Sequence, residues 1–428
     1  MLLPTDFINY TSALFGDERW QRYLNAFDEP APVSIRINPF KTPSKGELHV
    51  SAEKETFSFQ SPISNSPVPW CRNACYIEGE RPNFTLDPLL HAGAYYVQEA
   101  SSMFLDHVLR QLSIFNFQFS TALDLCAAPG GKSTLLRAAL PDNAMLYSNE
   151  PDRRRANILM ENMQKQGHPQ VIVTNNFASD YAKSGLMFDL ILADVPCSGE
   201  GMFRKDPATI NEWSPQNVMK CQALQRSIIS DIWQCLNPGG LLIYSTCTFN
   251  TRENEENIQW IMQQLDAEVV TVPVEAGWNI TGSLLPNFNE PVYRFIPGIT
   301  RGEGLFMAVL QKKREDAMFD KHAKKRGAGG LHILSSGSPQ PVVKGKKIIP
   351  AHAEALLINT PEEKYARVEL SREDALRYLS HEAIMLPETA PRGYVIVTYS
   401  SLPLGFVNNI GSRANNLYPK EWKIRNLR

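Results

Sequence analysis

The stretch that decides the fold is Thr121-Ala-Leu-Asp-Leu-Cys-Ala-Ala-Pro-Gly-Gly-Lys-Ser133. Its first five residues, 121–125, predict a short buried strand, and residues 132–140 predict a helix. The two glycines between them let backbone N–H groups approach a bound molecule closely. The N-terminus of the helix that follows favours an anionic group. The stretch therefore predicts a strand, a ligand-binding turn and a helix in succession.

Outward from this unit, short apolar runs alternate with helical patterns over about 88–310. Pro151 is expected at the first position of a helix and Gly167 just past its end, and Asn250 or Thr251 is expected to cap a later helix. The alternation predicts an α/β fold with a doubly wound parallel sheet, whose ligands lie beyond the carboxyl ends of the strands. The expected strands are 144–148, 171–174, 188–193 and 240–244, and the expected helices are 151–166 and 253–265.

The first two strand ends indicate a nucleoside-containing ligand. Glu150 ends the second strand, where an acidic residue typically accepts hydrogen bonds from ribose hydroxyls. A helix N-terminal charge without a ligand is the alternative interpretation. A nucleotide-phosphate loop reads G-x-x-x-x-G-K-S, and Cys126 stands where its first glycine would be. A phosphate-loop NTPase is therefore a competing, weaker hypothesis.

Two cysteines follow two further strand ends. Cys197 lies in Asp194-Val-Pro-Cys-Ser-Gly-Glu-Gly-Met202, and Cys247 lies in Ser245-Thr-Cys-Thr-Phe-Asn250. A single buried cysteine is usually a small apolar residue. Two cysteines at neighbouring strand ends would instead face one crevice, where a thiolate is a strong nucleophile. The pair therefore predicts covalent catalysis.

Composition excludes several classes of protein. The 428 residues are 43% hydrophobic and 21% charged, which is typical of a globular chain with more than one domain. No apolar run approaches the roughly 18 residues of a membrane helix, and the N-terminus does not resemble a secretory signal. Seven cysteines without a C-x-x-C pair predict neither a disulfide scaffold nor a zinc site. We expect a soluble, cytoplasmic protein without a metal.

Charge is distributed unevenly along the chain. The net charge is −2, but residues 312–347 hold ten Lys or Arg against three Asp or Glu, together with many Gly and Ser. This segment predicts a flexible basic linker, which is either simply solvated or an arm that contacts phosphates.

Taken together, these blocks resemble the RsmF group of bacterial cytosine-C5 methyltransferases that act on small-subunit ribosomal RNA, relatives of the Nop2/Sun proteins. Pro196-Cys197 and Thr246-Cys247 carry the resemblance in combination. The matching segments extend over nearly the whole chain and are residues 34–38, 95–103, 124–133, 194–202, 246–250, 301–307, 402–406 and 416–420.

The resemblance implies an S-adenosylmethionine-dependent RNA methyltransferase with a class I, Rossmann-like fold. Cys247 would attack C6 of cytosine and make C5 nucleophilic. Asp194 would hold the base edge, and Cys197 would help to remove the C5 proton and release the product.

The resemblance also implies a cofactor site. Asn176 stands where the family often has an acid near the adenine. The implied contacts with S-adenosylmethionine are Cys126, Ala127, Ala128, Pro129, Gly130, Gly131, Lys132, Glu150, Asn176 and Asp194.

The implied domains are an N-terminal α/β RNA-binding domain (1–85), the catalytic domain (86–313), the basic linker (314–345) and a C-terminal region with a PUA-like module (346–428). A target base inside a duplex must be flipped out or presented by a loop, which explains the appended RNA-binding parts. Arg36, Lys205 and Lys420 are candidate phosphate contacts.

The family favours 16S ribosomal RNA in the small subunit as the substrate, and we expect a monomeric enzyme. Transfer RNA is the main alternative, and DNA is less favoured because of the PUA-like tail. A non-catalytic RNA-binding protein would be expected to lack Cys247, Asp194 or the glycine-rich loop, and all are present.

Overall fold

The computed structural model describes residues 3–41, 65–313 and 330–426. In chain order, the N-terminal part contains α1 (Thr5–Phe15), α2 (Asp17–Asn25), β1 (Val33–Ile37), β2 (Asn65–Pro67), β3 (Ala74–Ile77), α3 (Pro88–Ala92) and β4 (Tyr95–Val97). These strands form an antiparallel sheet in the order β2-β3-β1-β4. Because β4 belongs to this sheet, the N-terminal fold extends past residue 85.

The central part contains α4 (Phe104–Ile114), β5 (Thr121–Asp124), α5 (Gly131–Ala139), β6 (Met145–Asn149), α6 (Arg153–Gln166), β7 (Val171–Thr174), α7 (Ala178–Ser184), β8 (Phe188–Asp194), α8 (Thr209–Glu212), α9 (Pro215–Trp233), β9 (Leu236–Thr246), α10 (Glu255–Gln264), β10 (Ala267–Val269), β11 (Tyr293–Phe295) and β12 (Leu305–Lys312).

The C-terminal part contains β13 (Ile333–Ser336), β14 (Val342–Lys344), β15 (Lys347–Ile349), α11 (His352–Leu356), β16 (Arg367–Glu369), α12 (Arg372–Leu379), β17 (Gly393–Tyr399), β18 (Leu402–Asn409) and β19 (Ala414–Asn416). Its sheet has the order β16-β17-β18-β19. Short 3-10 turns lie at Ala26–Asp28, Phe84–Leu86, Ser101–Met103, Glu200–Met202, Ala276–Trp278, Glu362–Lys364 and Lys420–Trp422.

The central sheet has the order β10-β12-β9-β8-β5-β6-β7-β13, with β11 paired to β12. The five strands from β9 to β7 are parallel to one another, whereas β12 pairs antiparallel with β9 and β13 pairs antiparallel with β7. Successive residues of β8 alternate between two cores, Leu190 in one and Ile191 in the other, because helices cover both faces. The predicted doubly wound α/β fold is confirmed.

The chain leaves β5 in one direction toward β6 and β7 and returns to its other side with β8 and β9. This reversal of strand order creates a crevice beyond the carboxyl ends of β5 and β8. The glycine-rich turn after β5 and the cysteine loops after β8 and β9 therefore lie at the same edge of the sheet.

Two helix starts differ from the sequence prediction. Helix α6 begins at Arg153 instead of Pro151, because the Asp152 carboxylate caps it by accepting the backbone N–H of Arg155 at 2.9 Å. Helix α10 begins at Glu255 instead of Glu253. The Asn250 side chain accepts the Glu253 N–H at 2.9 Å, as a cap would, but the residues between form a separate turn.

The expected basic linker lies partly outside the described residues, which omit 314–329. The part that follows includes β13, which pairs with β7 at the edge of the central sheet. Among the described residues, no helix is both long and apolar enough to cross a membrane.

Candidate active site

Three loops meet at the strand-end crevice: the glycine-rich turn after β5 and the two cysteine loops after β8 and β9. Asp194, the last residue of β8, is the register partner of Ser245 in β9, and Asp124 ends β5 beside Leu192. The two cysteine loops leave adjacent parallel strands, so they start side by side. The glycine-rich turn leaves β5, the next strand beside β8.

The two sequence-predicted cysteines are in contact. The Cys197 and Cys247 sulfur atoms are 3.2 Å apart, and the backbone N–H of Cys247 is directed at the Cys197 sulfur at 3.4 Å. Both residues are half-buried. The hydrogen bond with Cys247, together with burial, raises the pKa of the Cys197 thiol well above its usual value. The Cys197 thiol therefore keeps its proton at neutral pH.

Asp194 links the glycine-rich loop to the cysteine loops. One carboxylate oxygen lies 2.8 Å from the Lys132 ammonium, and the other accepts a hydrogen bond from the Ser245 hydroxyl. Burial acts to lower the pKa of Lys132, but the charge and hydrogen bond of Asp194 outweigh it, so the pKa is raised. A fixed cation and a fixed carboxylate thus stand beside the thiol pair.

The glycine-rich turn presents backbone donors. Gly130 precedes α5 with a φ of 118°, a left-handed conformation that favours glycine. No side chain in the described part of the chain caps the first turn of α5. Its free N–H groups can accordingly receive a carboxylate.

Glu150 carries an unused acceptor. The residue is 1% exposed, and its Oε1 atom accepts the backbone N–H of Asp152 at 3.0 Å. Its Oε2 atom is buried without a hydrogen-bond partner among the residues that the structure describes, and Arg155 lies 3.4 Å from it. Burial raises the pKa of Glu150. A buried oxygen without a donor fits a ligand that brings hydroxyl groups, such as a ribose.

Asn176 lies at the same edge, but its amide is engaged by the chain itself. Its oxygen accepts the N–H of His332 at 3.0 Å, and its nitrogen donates to the His332 carbonyl at 3.3 Å. The neighbouring Asn175 side chain donates to the carbonyls of Glu150 and Pro151. The start of the C-terminal part thus bonds the loop after β7, and that loop in turn bonds the loop that carries Glu150.

Two carboxylates that the sequence analysis did not single out support the cysteine loops. Glu200 and Glu253 are 1% and 0% exposed and accept only N–H donors. Each lies close in sequence to one of the cysteines, which is only a weak indication of a role in the site. Their contacts cross between loops, and sequence spacing does not reveal such contacts.

The candidate phosphate contacts differ in exposure. Lys205 and Lys420 are exposed. Arg36 is 4% exposed, and its guanidinium donates to the Gln98 side chain at 2.9 Å and to the Thr134 hydroxyl at 2.6 Å. The expectation that Arg36 contacts phosphate from the surface is wrong, because Arg36 ties the N-terminal sheet to α5 instead.

Three family profiles match successive parts of the chain. The profile described as 16S rRNA methyltransferase RsmB/F matches residues 116–311, which include the glycine-rich loop and both cysteines. The N-terminal domain of 16S rRNA methyltransferase RsmF matches residues 3–100, and the methyltransferase RsmF PUA domain matches residues 365–424.

The chain belongs to the RsmB/F methyltransferase family. Curated relatives include the ribosomal RNA small subunit methyltransferases F of Cronobacter sakazakii and of Escherichia coli O7:K1. Each is 29% identical to this chain and aligns over 93% of it and 92% of its own length. The similarity therefore extends over all parts of this methyltransferase.

Solved structures agree on the fold. A methyltransferase homologue from Pyrococcus horikoshii is 25% identical, covers 72% of this chain and 100% of its own, and has a TM-score of 0.56. NSun6 from Pyrococcus horikoshii, crystallised with SFG, is 19% identical, covers 73% of this chain and 99% of its own, and has a TM-score of 0.58.

Proposed function

We propose that this methyltransferase transfers a methyl group to C5 of a cytosine in 16S ribosomal RNA, through a covalent bond between Cys247 and C6 of the base. The observation that carries the proposal is the contact between the Cys197 and Cys247 sulfurs at 3.2 Å. Two thiols in contact can act on the same base: one adds to C6, and the other removes the proton from C5.

S-adenosylmethionine fits the residues of the cofactor site. The N–H groups of α5 can receive its carboxylate, and the unpartnered oxygen of Glu150 can accept from its ribose. The remaining proposed contacts are the loop from Cys126 to Lys132, Asp194 and Asn176. When bound, the cofactor supplies an electrophilic methyl group. SFG, an analogue of S-adenosylmethionine, accompanies NSun6, whose fold this chain shares.

The chain's own residues account for the remaining chemistry. The Cys247 thiolate adds to C6, and the electron pair moves to C5, which then carries nucleophilic character. Asp194, held by Lys132 and Ser245, accepts from the base edge. After methyl transfer, Cys197, once its own proton has passed to solvent, takes the proton from C5. The electrons of that C–H bond re-form the C5–C6 double bond, and the bond between Cys247 and C6 breaks with Cys247 leaving as the thiolate. A group of high pKa is a strong base once it has lost its own proton.

The other parts of the chain would hold RNA. We propose that the N-terminal sheet and the PUA-like module grip the RNA backbone, with Lys205 and Lys420 as phosphate contacts, while the crevice selects cytosine. One chain supplies every proposed site residue, so a monomer suffices. Action on ribosomal subunits implies a cytoplasmic location. The described residues contain no group of three or more metal-binding side chains, and the proposed chemistry uses no metal.

The substrate is tested with tritiated S-adenosylmethionine, the purified full-length protein, and two RNA sources. Small ribosomal subunits from a strain lacking the enzyme should acquire 5-methylcytosine in their RNA, whereas bulk tRNA should not. If only the tRNA is labelled, the proposed methyl transfer to cytosine stands but ribosomal RNA is not the substrate. If neither RNA is labelled although the protein still binds S-adenosylmethionine, neither RNA is the substrate.

A further inference from the structure

The two cysteine loops are joined by reciprocal bonds from two buried carboxylates. Glu200 belongs to the loop of Cys197, yet its Oε2 atom accepts the backbone N–H groups of Phe249 at 2.7 Å and Asn250 at 2.9 Å in the other loop. Glu253 follows Cys247, yet its Oε2 atom accepts the backbone N–H of Ser198 at 3.0 Å. Each loop thus supplies the acceptor for the other.

Further bonds reinforce this crossing. The N–H of Gly201 donates to the carbonyl of Cys247 at 2.7 Å, and the hydroxyls of Ser198 and Thr248 are 2.9 Å apart. A Cβ atom on Gly201 would lie 2.7 Å from the Cys247 carbonyl oxygen, so the loops approach as closely as glycine allows. The positions of both sulfurs therefore depend on these contacts.

The arrangement requires carboxylates and not amides. Glu200 also accepts from the Trp213 indole N–H at 2.9 Å and from the Asn250 side chain at 3.1 Å. Glu253 also accepts from the Gln225 side chain at 2.7 Å and from the Asn250 side chain at 2.8 Å. Every partner is a donor. A glutamine would direct its own N–H₂ at one of them and break the pattern.

The burial of these carboxylates is costly. Within the described ranges, neither forms an ion pair with a lysine or arginine. Burial raises the pKa of Glu253 despite the hydrogen bonds that oppose the shift. Buried charges usually have a charged partner or bind a metal. A chain that only needed to join two loops could use an apolar contact at lower cost, so these acceptors indicate a demand for exact loop geometry.

We propose that Glu200 and Glu253 are positioning residues that cross-link the loops of Cys197 and Cys247 and thereby hold the two thiols in contact for addition and release. The kinetic part of this proposal rests on the proposed function. The part that concerns the position of the thiols does not, because it can be measured without RNA or cofactor.

Phenylarsine oxide measures the position of the thiols directly. Its arsenic forms bonds to two neighbouring sulfurs, and the oxide oxygen leaves as water with the two thiol protons. The wild-type protein should bind the reagent at Cys197 and Cys247, as located by mass spectrometry and by loss of binding in Cys247→Ala. Glu200→Gln and Glu253→Gln should bind it at least tenfold more weakly while retaining the circular dichroism spectrum and affinity for S-adenosylmethionine.

Glu255→Gln is the matched control. Glu255 is also buried, but it bonds Arg294 and the N–H of Leu284 and no atom of the loop of Cys197. Its variant should keep the affinity for phenylarsine oxide even if it lowers stability. Unchanged affinity in Glu253→Gln and Glu200→Gln would overturn the proposal.

Hydrogen exchange on the wild type tests the cross-link without any variant. The amides of Ser198, Phe249 and Asn250 should exchange at least a hundredfold more slowly than exposed loop amides, and rapid exchange would contradict the cross-link. In turnover, the Gln variants should lose kcat about a hundredfold with little change in KM for RNA. If the wild type binds the arsenical but methylates no RNA, the proposed function fails and the positioning role stands.

Discussion

At the scale of single residues, the crevice combines groups whose charges are fixed by their neighbours. Lys132 is held as a cation by Asp194, whereas Cys197 is held as a neutral thiol by Cys247 and by burial. Asp194 bonds residues of two different loops through its two oxygens. This side chain is therefore the point at which the cofactor loop and the cysteine loops meet.

Replacement of Asp194 by asparagine should impair catalysis more than folding. The change removes the charge opposite Lys132 and replaces one of the two acceptor oxygens with an N–H₂ donor, so we expect kcat/KM to fall by about 10²–10³-fold. Steady-state methyl transfer measures it. Asp189→Asn, at the other end of β8, is the matched control and should retain activity. Equal losses in both variants would contradict the assigned role.

Asp124 should make stability depend on pH. Burial raises its pKa to about 7. The folded protein therefore keeps a proton between about pH 4 and pH 7 that the unfolded chain releases, so this contribution to stability is lost as pH rises through that range.

Asp124→Asn removes this titration. From pH 4 to pH 8, the free energy of unfolding of the variant should improve relative to wild type by about 1–4 kcal/mol, as measured by urea denaturation. Asp266 is exposed, so Asp266→Asn should show the same dependence of the free energy of unfolding on pH as wild type. Parallel pH curves for wild type and Asp124→Asn would show that the carboxyl is ionised throughout.

At the scale of elements, β13 is the unexpected component of the sheet. It begins beside Asn176. The Asn176 side chain accepts the N–H of His332 and donates to the His332 carbonyl. An aspartate at this position could accept from the N–H but could not donate to the carbonyl.

Asn176→Asp should therefore loosen β13. We expect amide exchange of residues 332–336 to accelerate about tenfold, because the aspartate cannot donate to the His332 carbonyl. Hydrogen exchange measures this effect. Ser336→Ala, on the exposed end of β13, is the control. An unchanged exchange rate would contradict this docking role of Asn176.

The sequence predicted the central elements well because their signals are local. Apolar runs and glycine turns mark β5 to β9, and the strand ends bring Cys197 and Cys247 together as expected. The pairing of β13 could not be predicted, because it joins segments more than 150 residues apart. The roles of Glu200 and Glu253 were missed for the same reason, since their partners lie in the opposite loop.

At the scale of the whole molecule, three parts meet at the C-terminal end of α6. The Lys41 ammonium donates to the carbonyls of Ala92 and Lys165, and the N–H of Ile358 donates to the carbonyl of Gly167. The other end of α6 carries Arg155, beside Glu150. One helix therefore links the proposed cofactor site to both appended parts.

This junction should weaken in acid. The ring nitrogens of His352 are buried without hydrogen-bond partners in the described ranges, and the ring packs on Tyr418 and Trp422. Burial, with Lys165 and Lys41 nearby, lowers its pKa to about 3. The unfolded chain takes up a proton near pH 6.5, so stability present above that pH is lost as pH falls toward 3.

His352→Phe keeps a ring but removes the titration. Between pH 7 and pH 5, wild type should lose about 1–2 kcal/mol more than the variant, as measured by chemical denaturation. His332→Phe, at an exposed position, should behave as wild type. If His352→Phe loses as much stability as wild type, the buried imidazole is not the acid-sensitive group.

The central claim is that Cys247 forms the bond to RNA and Cys197 breaks it. The decisive measurement is a denaturing gel of Cys197→Ala incubated with labelled S-adenosylmethionine and small-subunit RNA from a strain lacking the enzyme. We predict a labelled protein–RNA adduct that is absent from wild type and from the double variant with Cys247→Ala. Methylation or an adduct that survives in Cys247→Ala would contradict the account.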